Sequence, residues 1–142
     1  MHYLLDTNIL SNITKPKPSA PLLAWMSEQV DTDLFISSVT IAEIQRGIFE
    51  KPAGEKRNQL EAWFSGPEGP QALFGDRILP FDEKAGLIWA RLMADRKANG
   101  KPRSGLDAIV AAVAEANRCV VVTDAEKYFS GVKIINPMRG AK

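Results

Sequence analysis

The chain has 142 residues, which suits one domain with a substantial core, and its 18 basic and 17 acidic residues nearly cancel. No overall charge therefore draws it to nucleic acid, so any such binding has to come from local clusters. The single cysteine, Cys119, argues against disulfides, and no apolar run approaches the roughly 20 residues of a membrane-spanning helix. The length predicts a single domain over residues 1–142. Since the sequence shows no signal-peptide pattern either, we expect the protein in the cytoplasm.

The first half of the chain alternates apolar runs with segments whose apolar residues have helical spacing. In chain order, these patterns predict a strand over 2–6, helices over 7–13 and 20–30, a strand over 33–37, a helix from Ser38 or Thr40 to about Pro52, and a helix over 55–64. The stretch Ser65–Pro70 is rich in glycine and proline, which indicates a loop that is too short to link two domains.

The second half continues the alternation. It predicts a strand over 77–81, a helix that Asp82 caps and that runs to about Asn99, a helix that starts at Ser104, a strand over 118–123, a helical turn over 124–129 and a strand over 132–135. Pro80 favours an edge position for its strand, and the apolar run before Thr123 is typical of a buried parallel strand. Strands alternating with helices indicate an α/β fold with a mostly parallel sheet.

Four acidic residues lie at strand ends or helix starts: Asp6, Glu43, Asp107 and Asp124. If the strands that precede Asp6 and Asp124 are neighbours, their carboxyl ends share the rim where open α/β sheets bind ligands. Helices that leave the same rim would carry Glu43 and Asp107 in their first turns. Such a cluster of carboxylates repels itself unless a cation neutralises it.

The chemistry of this cluster indicates a metal site. Carboxylates without histidine or cysteine suit Mg²⁺ or Mn²⁺, which can activate water and stabilise a leaving oxygen during phosphodiester cleavage or phosphoryl transfer. Other chemistries fit less well. The only histidine, His2, lies beside the first residue, and no glycine-rich phosphate loop follows the first strand.

Helix capping is the alternative explanation for three of these acids. The stretches Thr40–Glu43 and Ser104–Asp107 each fit a capping box, in which an acid returns to the N–H of the cap residue. Asp124 follows a strand and could be an ordinary N-cap. Asp6 is harder to explain in this way, because Thr7 or Asn8 could cap the following helix without it.

Five groups of residues together resemble the motifs of a known family. They are Leu4–Leu10 with its Asp-Thr-Asn turn, Ser37–Ile44, Leu79–Asp82 with Trp89–Ala90, Leu106–Ala112, and Val122–Thr123 with Phe129 and Ile135–Pro137. In order and spacing they resemble the PIN-domain family, and within it the VapC-type toxins of toxin–antitoxin pairs. Each motif alone is weak, but the five together cover nearly the whole chain.

The resemblance implies a single PIN-like domain with helices on both faces of its sheet and a Mg²⁺-dependent ribonuclease site, with Mn²⁺ as a possible ion. It implies that Asp6 and Asp107 are the principal metal ligands, and that Glu43 ligates a second ion or positions the attacking water. It also implies an RNA substrate, a small VapB-like antitoxin that blocks the site, and a toxin homodimer. Contact with DNA would be indirect, through the antitoxin, and no membrane is involved.

The last motif departs from the family pattern. The family commonly has an asparagine or aspartate two residues after the threonine, where this chain has Ala125, and the acid Asp124 comes one residue early. Either the turn shifts and brings Asp124 into the site, which we favour slightly, or Asp124 is only a cap. Glu126 is a more remote substitute.

Basic residues could flank the acids and hold a nucleic-acid backbone. They are Lys15 and Lys17 after the first strand, and Arg91, Arg96, Lys97, Lys101 and Arg103 on and after the long helix. The alternative is a solvated helix face, which is about as probable for Arg91 and Arg96 and less so for Lys101 and Arg103.

Four apolar residues, Trp25, Met26, Trp63 and Phe64, could form a groove for an apolar helix of an antitoxin. Packing between two helices is a somewhat better explanation of the same residues.

Two further interpretations of the whole chain stay open. One is a catalytically weak PIN protein that acts in a DNA-binding regulatory complex with its antitoxin, which the altered Asp124–Ala125 turn would favour. The other is a structural α/β domain whose acids only cap helices.

Overall fold

A computed structural model describes residues 1–100, 105–129 and 131–139. These residues form a five-stranded sheet in which all neighbouring strands are parallel. The strands are β1 (His2–Leu5), β2 (Leu34–Ser37), β3 (Ile78–Leu79), β4 (Cys119–Val122) and β5 (Ile134–Ile135). Their order across the sheet is β3-β2-β1-β4-β5. The predicted α/β class is therefore confirmed, and the sheet is wholly parallel in the part of the chain described.

Two predicted positions in the sheet are confirmed. Strand β3 lies at an edge, as Pro80 indicates, because a residue without an N–H cannot continue a central ladder. Strands β1 and β4 are neighbours, with Leu4 opposite Val121 and Leu5 opposite Val122. The carboxyl ends of the two central strands therefore lie side by side.

Helices connect and cover the strands. They are α1 (Thr7–Ile13), α2 (Ala20–Ser27), α3 (Ser38–Phe49), α4 (Glu55–Ser65), α5 (Pro70–Phe74), α6 (Glu83–Ala98) and α7 (Gly105–Ala116). Asp82 caps α6 as predicted, since its Oδ1 accepts from the Ala85 N–H at 3.0 Å. Ser104, the predicted start of α7, lies outside the described residues. No helix in the described ranges is both long and apolar enough to span a membrane.

The structure shortens several predicted elements and adds one helix. Strand β3 has two residues instead of five, and α3 ends at Phe49 instead of near Pro52. Helix α2 ends at Ser27 instead of Val30, and a 3-10 turn, Asp31–Asp33, leads into β2. Helix α5 is not predicted by the sequence, because it has only five residues and follows a glycine- and proline-rich stretch. It begins after Gly69, where an added Cβ would lie 2.3 Å from the Phe64 carbonyl oxygen, so the tight approach of α5 to α4 requires glycine.

The core lies on both faces of the sheet, because successive side chains of a strand point in opposite directions. Leu4 and Val121 pack with residues of α6 and α7 on one face. Leu5 and Val122 pack with residues of α1, α2 and α5 on the other. All four side chains are fully buried. Both faces of the central strands are covered, which explains their unbroken apolar sequences.

Arg77 joins three segments beside the edge of the sheet. Its Nη1 donates to the carbonyl oxygens of Asp31 and Leu34, at 2.5 and 2.6 Å, and its Nη2 donates to the Leu73 carbonyl at 2.7 Å. Its guanidinium also lies over the Phe74 ring, 5.2 Å from the ring centre. A planar guanidinium can make these contacts together, whereas an ammonium group cannot.

We expect Arg77→Lys to lower the free energy of unfolding by about 1–3 kcal/mol, because at least one of the three carbonyl groups loses its partner. Urea denaturation measures the change. Arg46→Lys is the matched control, since Arg46 is exposed and its ion pair with Glu50 spans 3.6 Å. That control should alter stability by less than about 0.5 kcal/mol. Equal stability of the two variants would show that the Arg77 contacts contribute nothing.

Candidate metal centre at the carboxyl end of the sheet

A cavity of about 410 Å³ opens where β1 and β4 end. It is lined by Asp6, Thr7, Asn8, Ser11, Asn12, Lys15, Glu43, Asp107 and Asp124. The structure therefore brings all four predicted acids, which come from four different parts of the chain, to one cavity. Asp6 and Asp124 follow the ends of β1 and β4, and Glu43 lies in the helix that follows β2, so the parallel sheet brings these three together. Asp107 lies in the first turn of α7, which follows α6 and leads into β4.

Asp6 lies deepest in this cavity, with only 4% of its surface exposed. Its Oδ2 accepts a hydrogen bond from the Thr123 hydroxyl at 2.9 Å, and its Oδ1 accepts from the Thr7 N–H at 2.9 Å. The Asp6 N–H donates to the Val122 carbonyl, also at 2.9 Å. Asp6 is therefore the N-cap of α1, and the expectation that Thr7 or Asn8 caps this helix is wrong, because both lie inside it. The bonds to Val122 and Thr123 fix Asp6 to the end of β4 as well.

The environment of Asp6 makes its charge costly. Burial raises the pKa of Asp6 from 3.8 to about 6. The hydrogen bonds from Thr123 and Thr7 act in the opposite direction, because they favour the ionised carboxylate, while the negative charges of Asp107 and Glu43 raise the pKa further. The hydrogen bonds thus offset only part of the free-energy cost of ionising Asp6. The site therefore favours a proton on Asp6 or a cation beside it.

Glu43 is not part of a capping box. Helix α3 begins at Ser38, and its N-cap is Ser37, whose hydroxyl accepts from the Val39 N–H at 3.0 Å. Glu43 is therefore beyond the first turn, where no free N–H remains to be capped, and the capping alternative is wrong for this residue. Its Oε1 instead accepts from the Thr7 hydroxyl at 2.7 Å, which holds the side chain toward the cavity.

Asp107 and Asp124 complete the walls of the cavity. Asp107 is half-buried in the first turn of α7, and the capping box that would begin at Ser104 falls partly outside the described residues. Asp124 is exposed, and the 3-10 turn that follows has Ala125 as its N-cap, without a side-chain cap. The N–H of Ala125 is bound at 3.0 Å by the Thr123 hydroxyl instead. The capping explanation is therefore wrong for Asp124, which lines the cavity.

Glu126 does not take the place of a fourth acid. Its Oε2 accepts from the Asn136 amide at 2.8 Å and pairs with the Arg139 Nε at 2.6 Å. These contacts hold Glu126 against the segment after β5, outside the set of residues that line the cavity.

Reasoning from the sequence missed three residues of the site: Thr7, which holds Glu43, and Asn8 and Thr123. The single proton of the Thr123 hydroxyl goes to Asp6, so the hydroxyl oxygen can only accept from Asn8, at 3.4 Å, and from Ala125. The other end of the Asn8 amide, Oδ1, is buried and has no hydrogen-bond partner. The polar Asp-Thr-Asn turn was the only signal for Asn8, and nothing in the sequence indicated which atoms Thr123 binds.

The donor set of the cavity fits a hard divalent cation. Four carboxylates line it, and the unpartnered Oδ1 of Asn8 adds a buried oxygen to these ligand types, which Mg²⁺ and Mn²⁺ prefer. Within the described ranges, no three acidic, histidine or cysteine side chains lie close enough to ligate one ion together. An ion in this cavity would therefore keep several waters, as Mg²⁺ usually does.

The predicted basic residues do not form one surface. Lys15 lines the acidic cavity. Arg96 is 6% exposed and donates to the Tyr128 carbonyl at 3.4 Å, so its placement on a solvated face is wrong. Arg91 lies beside a separate cavity between α6 and α7. Lys101 and Arg103 fall outside the described residues.

The four predicted groove residues are divided between a groove and the core. An apolar groove of about 570 Å³ lies beside α1, α4 and α5, and Met26 and Trp63 line it. Trp25 instead packs edge-on against Tyr3, with ring centres 5.0 Å apart, and Phe64 is buried. A smaller cavity shares lining residues with both, namely Trp63 with the groove, and Thr7 and Glu43 with the acidic cavity.

Comparison with known proteins identifies relatives along the whole chain. A model of the PIN domain matches residues 3–134. The chain is 38% identical over 140 residues to VapC ribonuclease Y4jK of Sinorhizobium fredii, over 97% of this chain and 99% of that protein. It is 34% identical over 136 residues to toxin FitB of Neisseria gonorrhoeae, over 94% and 96%. A structure of FitAB bound to an IR36 DNA fragment superimposes with a TM-score of 0.88 at 31% identity, over 99% and 98% of the two chains.

The pKa of Asp6 predicts how metal-free protein responds to pH. The pKa of Asp6 rises from 3.8, its ordinary value in an unfolded chain, to about 6 in the folded protein. Below about pH 4 the carboxyl is neutral in both states and stability is unaffected, and the free energy of unfolding falls as the pH rises through 6. Asp6→Asn removes this cost, so relative to wild type it should gain roughly 3 kcal/mol between pH 4 and pH 7.5. Urea denaturation with EDTA measures the gain.

The matched control is Asp95→Asn, the same acid-to-amide change at an exposed position of α6 outside the acidic cavity. A difference between Asp6→Asn and wild type that is the same at both pH values would contradict the raised pKa.

Proposed function

This chain belongs to the PIN-domain family, as a VapC-type toxin of a toxin–antitoxin pair, and on that premise we propose that it is a Mg²⁺-dependent endoribonuclease. The observation that carries the proposal is the meeting of Asp6, Glu43 and Asp107 in one cavity at the carboxyl end of the sheet. The name of the relative Y4jK, a VapC ribonuclease, supports the same activity. An acidic cavity without a neutralising cation would repel a phosphodiester, so the proposal requires the metal.

In this proposal Asp6 and Asp107 hold the metal, with Asn8 and Asp124 at the margin of the same site. The ion, Mg²⁺ or Mn²⁺, would supply charge stabilisation and activation of water. Glu43, fixed by the Thr7 hydroxyl, orients the attacking water. Thr123 holds the Asp6 carboxylate in its ionised, metal-binding form by donating its proton to Oδ2.

RNA binding has to overcome the acidic character of the site. Lys15 is the basic residue that lines the cavity within the described ranges, and it is exposed. We propose that its ammonium group contacts a phosphate next to the one that is cleaved. Lys17 follows on the same loop and extends this positive margin.

A small antitoxin is the proposed partner. The apolar groove that Met26 and Trp63 line suits an apolar helix. An antitoxin segment that continues into the smaller cavity beside it would lie against Thr7 and Glu43 and block the acids. The relatives FitB, a toxin, and FitAB, solved with DNA, support an antitoxin partner and contact with DNA through it. A toxin homodimer and a cytoplasmic location complete the proposal.

A catalytically weak toxin that acts only within a DNA-bound complex is the second candidate function. The relative FitAB, solved on a DNA fragment, and the exposed position of Asp124 favour it. Both candidates predict an antitoxin, so a nuclease assay of the isolated toxin distinguishes them, whereas co-purification does not.

We expect Asp6→Asn to abolish Mg²⁺-dependent cleavage of a labelled pool of single-stranded RNA. The physical reason is that an amide cannot supply the anionic ligand that the ion requires. Asp95→Asn, an acid-to-amide change on the exposed side of α6, should cleave at the wild-type rate. Because metal-free Asp6→Asn is expected to be more stable at neutral pH, unfolding cannot explain its inactivity. Cleavage by Asp6→Asn at the rate of wild type would refute the nuclease proposal for this cavity.

Asp124 should contribute less than Asp6, because it is exposed and reaches the ion through water at most. Asp124→Asn is expected to lower kcat/KM for RNA roughly tenfold, as is common for groups that contact a metal only through a ligand or a bound water. Titration of the cleavage rate with Mg²⁺ should show a weaker apparent affinity for the ion. A rate and an affinity equal to those of wild type would exclude Asp124 from the site and leave it with three acids.

A further inference from the structure

Glu43 is oriented through two threonine hydroxyls, one of which lies outside the walls of the acidic cavity. We propose that Thr40 is a positioning residue for Glu43 and acts on it through Thr7. The inference rests on the proposed nuclease function and adds a residue that touches neither substrate nor ion.

Proton counting gives the direction of this chain of hydrogen bonds. The Thr7 Oγ1 lies 2.7 Å from the Glu43 Oε1 and 3.1 Å from the Thr40 Oγ1. An ionised carboxylate can only accept, so the single proton of the Thr7 hydroxyl goes to Glu43. The Thr7 oxygen then accepts, and the proton between the two threonines has to come from Thr40. The order is therefore Thr40 to Thr7 to Glu43.

Burial makes this series of hydrogen bonds rigid. Thr40 is fully buried, and Thr7 is the partner that the described hydrogen bonds give its hydroxyl. Thr40 and Glu43 are three residues apart on α3 and share one face of that helix, while Thr7 comes from the start of α1. The two contacts thus fix α1 relative to α3 at the point where Glu43 enters the cavity.

The donors that orient the acids are neutral, which suits a metal site. The described ion pairs include none to Glu43 or Asp6, and both carboxylates are held by threonine hydroxyls instead. A lysine or arginine at the same place would orient the carboxylate equally well but would offset the negative charge that attracts a cation. A hydroxyl fixes the direction of the carboxylate and leaves its charge in place.

The test compares Thr40→Val, which keeps the shape but loses the hydroxyl, with Thr40→Ser, which keeps the donor. Two measurements are made: affinity for Mn²⁺ without RNA, by isothermal titration or electron paramagnetic resonance, and kcat for a labelled single-stranded RNA pool with Mg²⁺. Glu43→Ala shows which of the two quantities, Mn²⁺ affinity or kcat, depends on Glu43. Thr40→Val should lower that same quantity by about tenfold. Thr40→Ser should restore that quantity to within about twofold of wild type, because serine retains the hydroxyl proton.

A double-mutant cycle separates positioning from a structural effect. If Thr40 acts through Glu43, adding Thr40→Val to Glu43→Ala should change neither Mn²⁺ affinity nor kcat any further. Independent losses that multiply would overturn the proposal, as would a Thr40→Val protein that equals wild type in both measurements. Thr7→Val provides a second variant if Thr40→Val does not fold, and it should match or exceed the effect expected of Thr40→Val.

The outcomes also separate this inference from the function on which it rests. A wild-type protein that neither binds Mn²⁺ nor cleaves RNA overturns the proposed function. An active wild type with an equally active Thr40→Val overturns the positioning role alone.

Discussion

The hydrogen bond from the Thr123 hydroxyl to Asp6 joins the ends of the two central strands, and the placement of Asp6 at the base of the acidic cavity depends on it. Asp6 is almost fully buried, which raises the free energy of its charged form. Thr123 offsets part of that cost by donating its only hydroxyl proton to Asp6. Its oxygen then accepts from the Asn8 amide and from the backbone N–H of Ala125. One hydroxyl therefore aligns an acid, an amide and the turn that carries Asp124.

The acids of the cavity oppose the stability of the fold. Asp107 and Glu43 both raise the pKa of Asp6, so their negative charges make Asp6 harder to ionise. A purely structural domain would gain nothing from this arrangement, because helix caps tolerate neutral side chains. Such local destabilisation is common where a binding site needs charge, and it disappears when a cation is bound. Glu43 and Asp124, which cap no helix, make the purely structural interpretation hard to sustain.

The sequence predicted the elements whose signals are local. The apolar run before Thr123, the edge position marked by Pro80 and the Asp82 cap all depend on neighbouring residues, and the structure agrees with each. The four acids were found because strand ends and helix starts are visible in sequence, although their roles stay proposals. Local signals failed for Arg96, which is buried and donates to the Tyr128 carbonyl 32 residues further along the chain. They also failed for α5, whose five residues are too few for a periodic pattern.

The order of strands in the sheet also controls when the site can exist. Asp6 and Thr123 are separated by 117 positions in the chain, yet they are in direct contact. During synthesis Asp6 leaves the ribosome early and waits unpaired until β4 emerges and is inserted beside β1. A prematurely terminated chain that lacks β4 therefore cannot assemble the acidic cavity. Under the proposed nuclease function, activity can therefore begin only after β4 has been synthesised and paired with β1.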